Sequence, residues 1–427
     1  FIIAEEVTLK GNYERRPDIV LYINGIAFCI IELKKSTISI NEGIRQSISN
    51  QQSRFNEWFY STIQLVVAGN DSEGLKYGTI QTPETFFLNW KEDEDDNEGY
   101  KLDKYILKMF SKSRILDLMF NFVIFDGGVK KVPRVNQYFA VKSAQEYVKR
   151  HEGGIIWHTQ GSGKSIIMVF LTKWILENNS NARVVIITDR NELDKQILDV
   201  FSDTGISIER AKKGKDLVNK LESSTPRLLC SLIHKFGKKD IDNFDTLVKE
   251  LNKNNFEAKG DIFVLVDECH RTQSGKLHKA MKAYLPNATF LGFTGTPLLQ
   301  KDKASSKEVF GGYIHKYLLD EAVQDKVILD ILYEARDINQ YLGSKDKIDT
   351  WFDVKTKGLN QWQKIALKKK WTSLQTVLSS ESRIERIVDD IIFDFSIKPR
   401  LSSDKGTAML VANSIFEACK YFENFNK

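Results

Sequence analysis

Residues Gly153 to Ser165 read GGIIWHTQGSGKS. The apolar strand Ile155 to His158 runs straight into Thr159-Gln160-Gly161-Ser162-Gly163-Lys164-Ser165, and the helical run Ile166 to Leu176 follows at once. Strand, glycine-rich turn and helix, in that order, form the setting of a phosphate-binding loop. In such a loop Gly161 and Gly163 let successive backbone N–H groups, including those near Thr159 and Ser162, turn inward around phosphate oxygens. Lys164 brings a positive charge to the outer phosphates, and the Ser165 hydroxyl can ligate magnesium. His158 stands where the strict pattern has its first glycine.

Working outward, the same rhythm recurs. Apolar strands are expected at Val184 to Ile187, Arg227 to Ser231, Ile262 to Val266 and Thr289 to Phe293, with helical stretches between them, one of them Pro133 to Arg150 ahead of the loop. Short buried strands alternating with helices predict an α/β fold with a parallel sheet covered on both faces. The strand Ile262 to Val266 ends in Asp267-Glu268-Cys269-His270. A carboxylate at the carboxyl end of a strand beside the loop can hold Mg²⁺ through water, and the next can orient the attacking water. Asp267 is expected in the first role and Glu268 in the second.

A second constellation stands near the start. Asp18 precedes the apolar strand Ile19 to Ile23, Asn24-Gly25 makes a turn, and the strand Ala27 to Ile31 ends in Glu32-Leu33-Lys34. Two carboxylates can hold divalent metal against a scissile phosphate, and a lysine can activate water and offset developing charge. Glu32 and Lys34, two apart on a strand, share a face. With a two-residue hairpin closed at Asn24-Gly25, Asp18 pairs with Ile31 and faces away from Glu32. The chemistry therefore requires an odd-length loop or a bulge, and Gly25 is expected to supply it.

Composition constrains less. Lys and Arg number 62 against 57 Asp and Glu, a net +5 that permits a polyanionic partner without demanding one. Cys29, Cys230, Cys269 and Cys419 lie far apart with no C-x-x-C pair, which suggests neither a zinc cluster nor a disulfide framework and fits a reducing cytoplasm. No run approaches the roughly 20 apolar residues of a membrane span. The acidic run Lys91 to Gly99 reads as a solvated loop and a domain boundary, and the opening Phe1 suggests a start partway through a longer protein.

The ordered motifs TQGSGKS, TDRNELD (Thr188 to Asp194), DECH and GFTGTP (Gly292 to Pro297) resemble those of superfamily 2 helicases and translocases. Pro133-Arg134-Val135-Asn136-Gln137 resembles the glutamine motif that reads adenine there, which implies ATP as the nucleotide and Gln137 as its base reader. By the same resemblance His270, Thr294 and Thr296 couple hydrolysis to motion, while Thr188, Arg190 and the stretch Ser231 to Lys235 touch the DNA backbone. The Asp18, Glu32 and Lys34 pattern resembles the PD-(D/E)xK nuclease core. Nuclease first and translocase second is the order of the Type I restriction motor subunit, which the chain resembles over most of residues 15 to 320. Many such nucleases carry a glutamine and a tyrosine four apart on the helix after the lysine. Gln46 matches the first, but Asn50 stands at the second.

The resemblance implies a nuclease domain over 1–99, linker helices over 100–132, a first RecA-like lobe over 133–324 and the start of a second over 325–427, where Ala408 to Ala412 is its expected first strand. It implies ATP-driven, Mg²⁺-dependent cutting of double-stranded DNA alongside specificity and methyltransferase subunits, with a repair or remodelling translocase carrying an inactive nuclease fold as the alternative. The arginine motifs of a second lobe are not among these residues, so this stretch alone is expected to hydrolyse ATP slowly. The Lys368-Lys369-Lys370 cluster reads as a solvated helix face.

Overall fold

The amino-terminal strands β1 (Ile2–Glu5), β2 (Ile19–Ile23), β3 (Ile26–Leu33), β4 (Leu65–Asn70), β5 (Gly74–Gly78) and β6 (Leu88–Trp90) form one sheet in that spatial order. All pairs are antiparallel except β3 with β4. The crossover between those two carries α1 (Ile40–Asn50) and α2 (Glu57–Tyr60), which cover one face. Asn24 (φ 49°) and Gly25 (φ 81°) close the β2–β3 hairpin as a two-residue turn with both residues in the left-handed region. Pairing runs Ile23 with Ile26 and Tyr22 with Ala27, then jumps to Leu21 with Cys29, so Phe28 is an extra residue. The required bulge is present, but Phe28 makes it and Gly25 makes the turn. Beyond it Val20 pairs with Ile30 and Ile19 with Ile31, a register that brings Asp18 opposite Glu32.

A second sheet is built from β9 (Gly154–His158), β10 (Ala182–Thr188), β11 (Glu209–Ala211), β12 (Leu228–Leu232), β13 (Asp261–Val266), β14 (Thr289–Thr294) and β15 (Tyr313–Tyr317). Its order is β11-β12-β10-β13-β14-β9-β15 and every pair is parallel. The five strands expected from the sequence are all here; β11 and β15 are additions, short and at the two edges, where apolar patterning is weakest. Helices α5 (Val135–Lys149) and α6 (Lys164–Asn178) pack on each other beside it.

The structure, a computed structural model, describes residues 1–11, 13–92, 99–188, 201, 208–211, 214–232, 258–269, 285–296, 310–336, 345–371, 381–399, 401–402 and 406–427. The chain divides into two compact units, Phe1–Asp330 and Ile331–Lys427. Both sheets belong to the first. Segment 100–132, expected as a linker, is built into their shared core: α3 (Lys101–Met109), α4 (Lys112–Asn121) and the hairpin β7 (Ile124–Asp126) and β8 (Val129–Lys131) contribute Met109, Ile115, Leu118, Phe122 and Ile124. Tyr77 and Trp90 of the first sheet stack edgewise, Trp90 packs on Tyr138 of α5, and the Tyr77 hydroxyl donates to the Pro133 carbonyl at 2.6 Å.

In the second unit the regular elements among the described residues are helices: α9 (Lys345–Lys355), α10 (Gln361–Trp371), α11 (Glu381–Ile397) and α12 (Ile415–Phe425), the numbers α7 and α8 belonging to Gly214–Glu222 and Leu319–Gln324. Ile384, Val388 and Tyr421 form a small core, and Arg336 binds Glu334, Asp390 and Asp394. The expected strand Ala408 to Ala412 is not one. An apolar run becomes a strand only with a ladder partner, and the described residues of this unit offer none. The Lys368–Lys370 cluster lies on α10; its side chains are outside the described residues.

Candidate active sites

Asp18, Glu32, Lys34 and Gln46 meet on the α1 face of the first sheet. The bulge sets the alternation: Leu21 and Cys29 turn into one core, Val20 and Ile30 into the opposite one beneath α1, and Glu32 follows Ile30. The Leu33 N–H donates to Asp18 Oδ2 at 2.6 Å, which aims the aspartate at its neighbour across the ladder. Gln46 connects the rest: its Nε2 donates to Glu32 Oε2 at 2.8 Å and its Oε1 accepts from Lys34 Nζ at 2.8 Å. Helix α1 approaches this closely because Gly43 has no side chain; a Cβ there would lie 3.2 Å from Ala68 Cβ and 3.5 Å from Glu32 Cβ. Asn50, where the resemblance expects a tyrosine, is buried on the same helix face.

Glu32 is fully buried. Burial first, and then the negative charge of Asp18, push its carboxyl up to about 8 against the opposing pull of Lys34. Its Oε1 has no donor within the protein. Two converging carboxylates with one unmet oxygen fit a divalent cation. No cluster of three His, Cys, Asp or Glu side chains forms among the described residues, so water and phosphate oxygens would complete the coordination, as suits magnesium. Because the folded carboxyl titrates above its ordinary 4.5, the stability tied to its proton is complete below that pH and lost as pH rises through about 8. In chelator, the Tm of the wild type relative to Glu32→Gln is expected to fall between those limits; parallel profiles in differential scanning calorimetry would contradict this.

The phosphate loop stands at the carboxyl edge of the second sheet. Gly161 (φ 83°) and Gly163 (φ 85°) both use the left-handed region. Thr159 N–H donates to the Tyr317 carbonyl at 3.0 Å, and the Ser162 hydroxyl donates back to the Thr159 carbonyl at 2.6 Å. Lys164 and Ser165 open α6, and Lys164 Nζ lies 3.4 Å from the His158 carbonyl. Gly295, just after β14, leaves room for this amine: a Cβ there would sit 3.0 Å from Lys164 Nζ. Since β14 lies between β9 and β13, Asp267 and Glu268 emerge at the same edge as the loop. Asp267 is buried, and Glu268 takes a left-handed backbone (φ 47°) before Cys269 N–H anchors to the Phe293 carbonyl at 3.0 Å.

His158, the departure from the glycine pattern, is fully buried against β15, with Nε2 2.8 Å from His315 Nδ1. Burial foremost, then His315 and Lys164, hold its pKa well below the usual histidine range, so the ring adds no positive charge at the base of the loop. Gln137 is turned onto the loop: Oε1 accepts from Arg134 N–H at 2.9 Å, and Nε2 donates to the Ser162 carbonyl at 3.0 Å. In this conformation its amide serves the loop backbone. A Cβ on Gly163 would strike that amide, and the positive φ disfavours any side chain. Gly163→Ala is expected to weaken nucleotide binding at least about tenfold, a loss of about 1.4 kcal/mol, measurable by fluorescent-nucleotide titration.

Thr294 Oγ1 donates to the Thr296 carbonyl at 3.1 Å and accepts from its N–H at 3.3 Å, a small turn at the end of β14. Thr188 and Ser231, expected on the DNA, are both fully buried at the ends of β10 and β12, so neither hydroxyl can touch a DNA backbone in this conformation. Both sit within parallel strands of the second sheet, between neighbours that cover them. Arg190, Lys235 and His270 lie outside the described residues. His315 and Tyr317, which support the loop, were missed because β15 follows a stretch without regular pattern.

Among the described residues no helix is long and apolar enough to cross a membrane. Residues 136–365 match the SWI2/SNF2 ATPase family, and residues 1–85 match the Type I restriction enzyme R protein N terminus. The chain is 30% identical to the type I restriction enzyme MjaIXP endonuclease subunit of Methanocaldococcus jannaschii, covering 97% of this chain and 42% of that protein. It is 27% identical to the type I restriction enzyme HindI endonuclease subunit of Haemophilus influenzae, covering 96% and 41%. Among solved structures, the Sulfolobus solfataricus SWI2/SNF2 ATPase core in complex with dsDNA aligns with 72% of this chain and 59% of that one, at 12% identity and a TM-score of 0.34. The chain thus spans less than half the length of these curated relatives. It belongs to the SWI2/SNF2 ATPase family and is a superfamily 2 protein of the HsdR type.

Proposed function

We propose that the full-length subunit hydrolyses ATP to track along duplex DNA and cuts both strands with the Asp18, Glu32, Lys34 and Gln46 centre, as part of a Type I restriction complex with specificity and methyltransferase subunits. The observation that carries the cutting half is the register: a bulge at Phe28 puts Asp18 opposite Glu32 on the face that also holds Lys34 and Gln46. A PD-(D/E)xK core needs that convergence, and an unbulged hairpin lacks it.

Asp18 and Glu32 would hold a divalent cation, which when bound polarises the scissile phosphate and lowers the pKa of water. Lys34, fixed by Gln46, is placed to orient that water and to offset charge developing on the phosphate. At the other centre the inward N–H groups of Gly161 to Lys164 would cradle the phosphates, with Ser165 and Asp267 holding the accompanying Mg²⁺ and Glu268 orienting water. Both centres lie in one compact unit joined through Tyr77, Trp90 and Tyr138.

The test is DNA cleavage by the assembled complex carrying Asp18→Ala or Lys34→Ala. Each is expected to abolish Mg²⁺-dependent cutting while ATP hydrolysis persists. Wild-type cutting by both would favour a translocase whose nuclease fold is only a platform.

A further inference from the structure

Two arginines share one aromatic ring beside the first sheet. The Arg15 guanidinium lies 3.9 Å from the centroid of Phe55 and that of Arg54 4.7 Å from the same point, while Tyr13 leans on the ring at 5.7 Å. Arg54 and Tyr13 are exposed, and Arg15 is half-buried. Other arginines of this region are neutralised: Arg16 pairs with Glu6 at 3.5 Å, and Arg45 pairs with Glu42 at 2.8 Å and Glu84 at 2.9 Å. Among the described residues neither Arg15 nor Arg54 forms an ion pair. Arginine keeps its charge at any ordinary pH. Two such charges on one ring repel each other, and an anion that both can reach removes that cost.

The backbone ties this pair to the cutting centre. Arg15 stands three residues before Asp18, in the loop that leaves β1 and folds back to start β2. Glu6 N–H donates to the Asp18 carbonyl at 2.8 Å, and Leu9 and Arg15 exchange backbone hydrogen bonds at 2.8 and 3.1 Å, so the loop is a closed arm. Val7 packs against the core beneath α1, which puts the arm on the face of the sheet that carries Asp18 and Glu32. Arg54 and Phe55 come from the other side, in the connection between α1 and α2. The buried Asn56 amide of that connection donates to the Leu9 carbonyl at 3.5 Å, and a Cβ on Gly11 would lie 2.8 Å from the Phe55 carbonyl oxygen. One segment runs into Asp18 and the other follows the helix of Gln46, and they meet at the Phe55 ring.

We propose that Arg15 and Arg54 bind backbone phosphates of the duplex beside the scissile one. The proposal rests on the nuclease reading above. Stacking on Phe55 restrains both guanidinium groups, so less rotamer freedom is lost when a phosphate arrives, and each planar fork matches two phosphate oxygens. Contacts of this kind carry no sequence information, which suits a subunit that tracks along DNA.

The experiment measures binding of a short fluorescein-labelled duplex to the full-length subunit by anisotropy, in chelator and without ATP, over a series of KCl concentrations. The double variant Arg15→Gln with Arg54→Gln is expected to bind at least about tenfold more weakly at low salt and to lose about two units from the slope of log affinity against log salt, one for each phosphate contact. Arg15→Lys with Arg54→Lys keeps both charges and should restore most of that slope. In the assembled complex the glutamine variant should stop cutting at a lower salt concentration than the wild type, with ATP hydrolysis unchanged. Wild-type affinity and slope in the glutamine variant, with cleavage lost in Asp18→Ala, overturns this proposal alone. So does a shallower slope that the lysine variant fails to restore, since that traces the change to packing on Phe55 rather than to charge. Wild-type cleavage by Asp18→Ala overturns the cutting-centre reading and this proposal with it.

Discussion

Glu32→Ala is expected to lower DNA cleavage by the assembled enzyme about 10³-fold, the scale of several kcal/mol of lost transition-state stabilisation when a metal-holding carboxylate is removed. ATP hydrolysis should continue, because Glu32 lies on the α1 face of the first sheet and the phosphate loop at the edge of the second. The loss should not come from unfolding. Glu32 is fully buried and its carboxyl is pushed up to about 8 by burial and by Asp18. Removing an acid that the fold must desolvate relieves a cost, so the variant's Tm in chelator at pH 8 should match or exceed the wild type. Cleavage lost together with a large fall in Tm would place Glu32 among residues that merely support the fold.

Glu268→Gln should give the complementary pattern. ATP hydrolysis is expected to fall about 10²- to 10⁴-fold, the range for a group that orients or deprotonates a nucleophile, while nucleotide binding stays near wild type. The position is well defined by the backbone: Glu268 occupies a left-handed turn between the last residue of β13 and the Cys269 N–H anchored on β14. A glutamine keeps the size and the turn but not the charge. If cutting follows translocation, this variant should also lose cleavage of intact circular DNA, although its nuclease centre is untouched. Glu32→Ala loses only cleavage and Glu268→Gln loses both, and that asymmetry distinguishes a coupled machine from two independent sites. Full ATP turnover by Glu268→Gln in a steady-state assay would remove Glu268 from the hydrolytic role.

Much of the second sheet was legible because buried parallel strands are apolar throughout and stand out against helices. The loop at Thr159 to Ser165 was equally plain, since its glycines and lysine act through the local backbone of one strand, one turn and one helix. The edges were not. β15 carries His315 and Tyr317, which hold the start of the loop, yet Tyr313–Tyr317 is half exposed and polar enough to read as irregular. Thr188 and Ser231, nominated for DNA contact by resemblance alone, are buried in the sheet, a burial that only the neighbouring parallel strands create.

The sequence by itself determined the chemistry present: the carboxylates, the lysines, the glycines of the loop and their order along the chain. These are local facts, carried by residue identity and spacing. Tertiary structure decided which of them meet. Whether Asp18 faces Glu32 depends on a single extra residue in a ladder, because side chains alternate with period two and one bulge reverses every face beyond it. Phe28 is apolar like its neighbours, so nothing in its identity marks it as that residue; only pairing between strands and packing against two cores select it. In the same way segment 100–132 reads as a linker and becomes core, since its apolar residues find partners only when both sheets are in place.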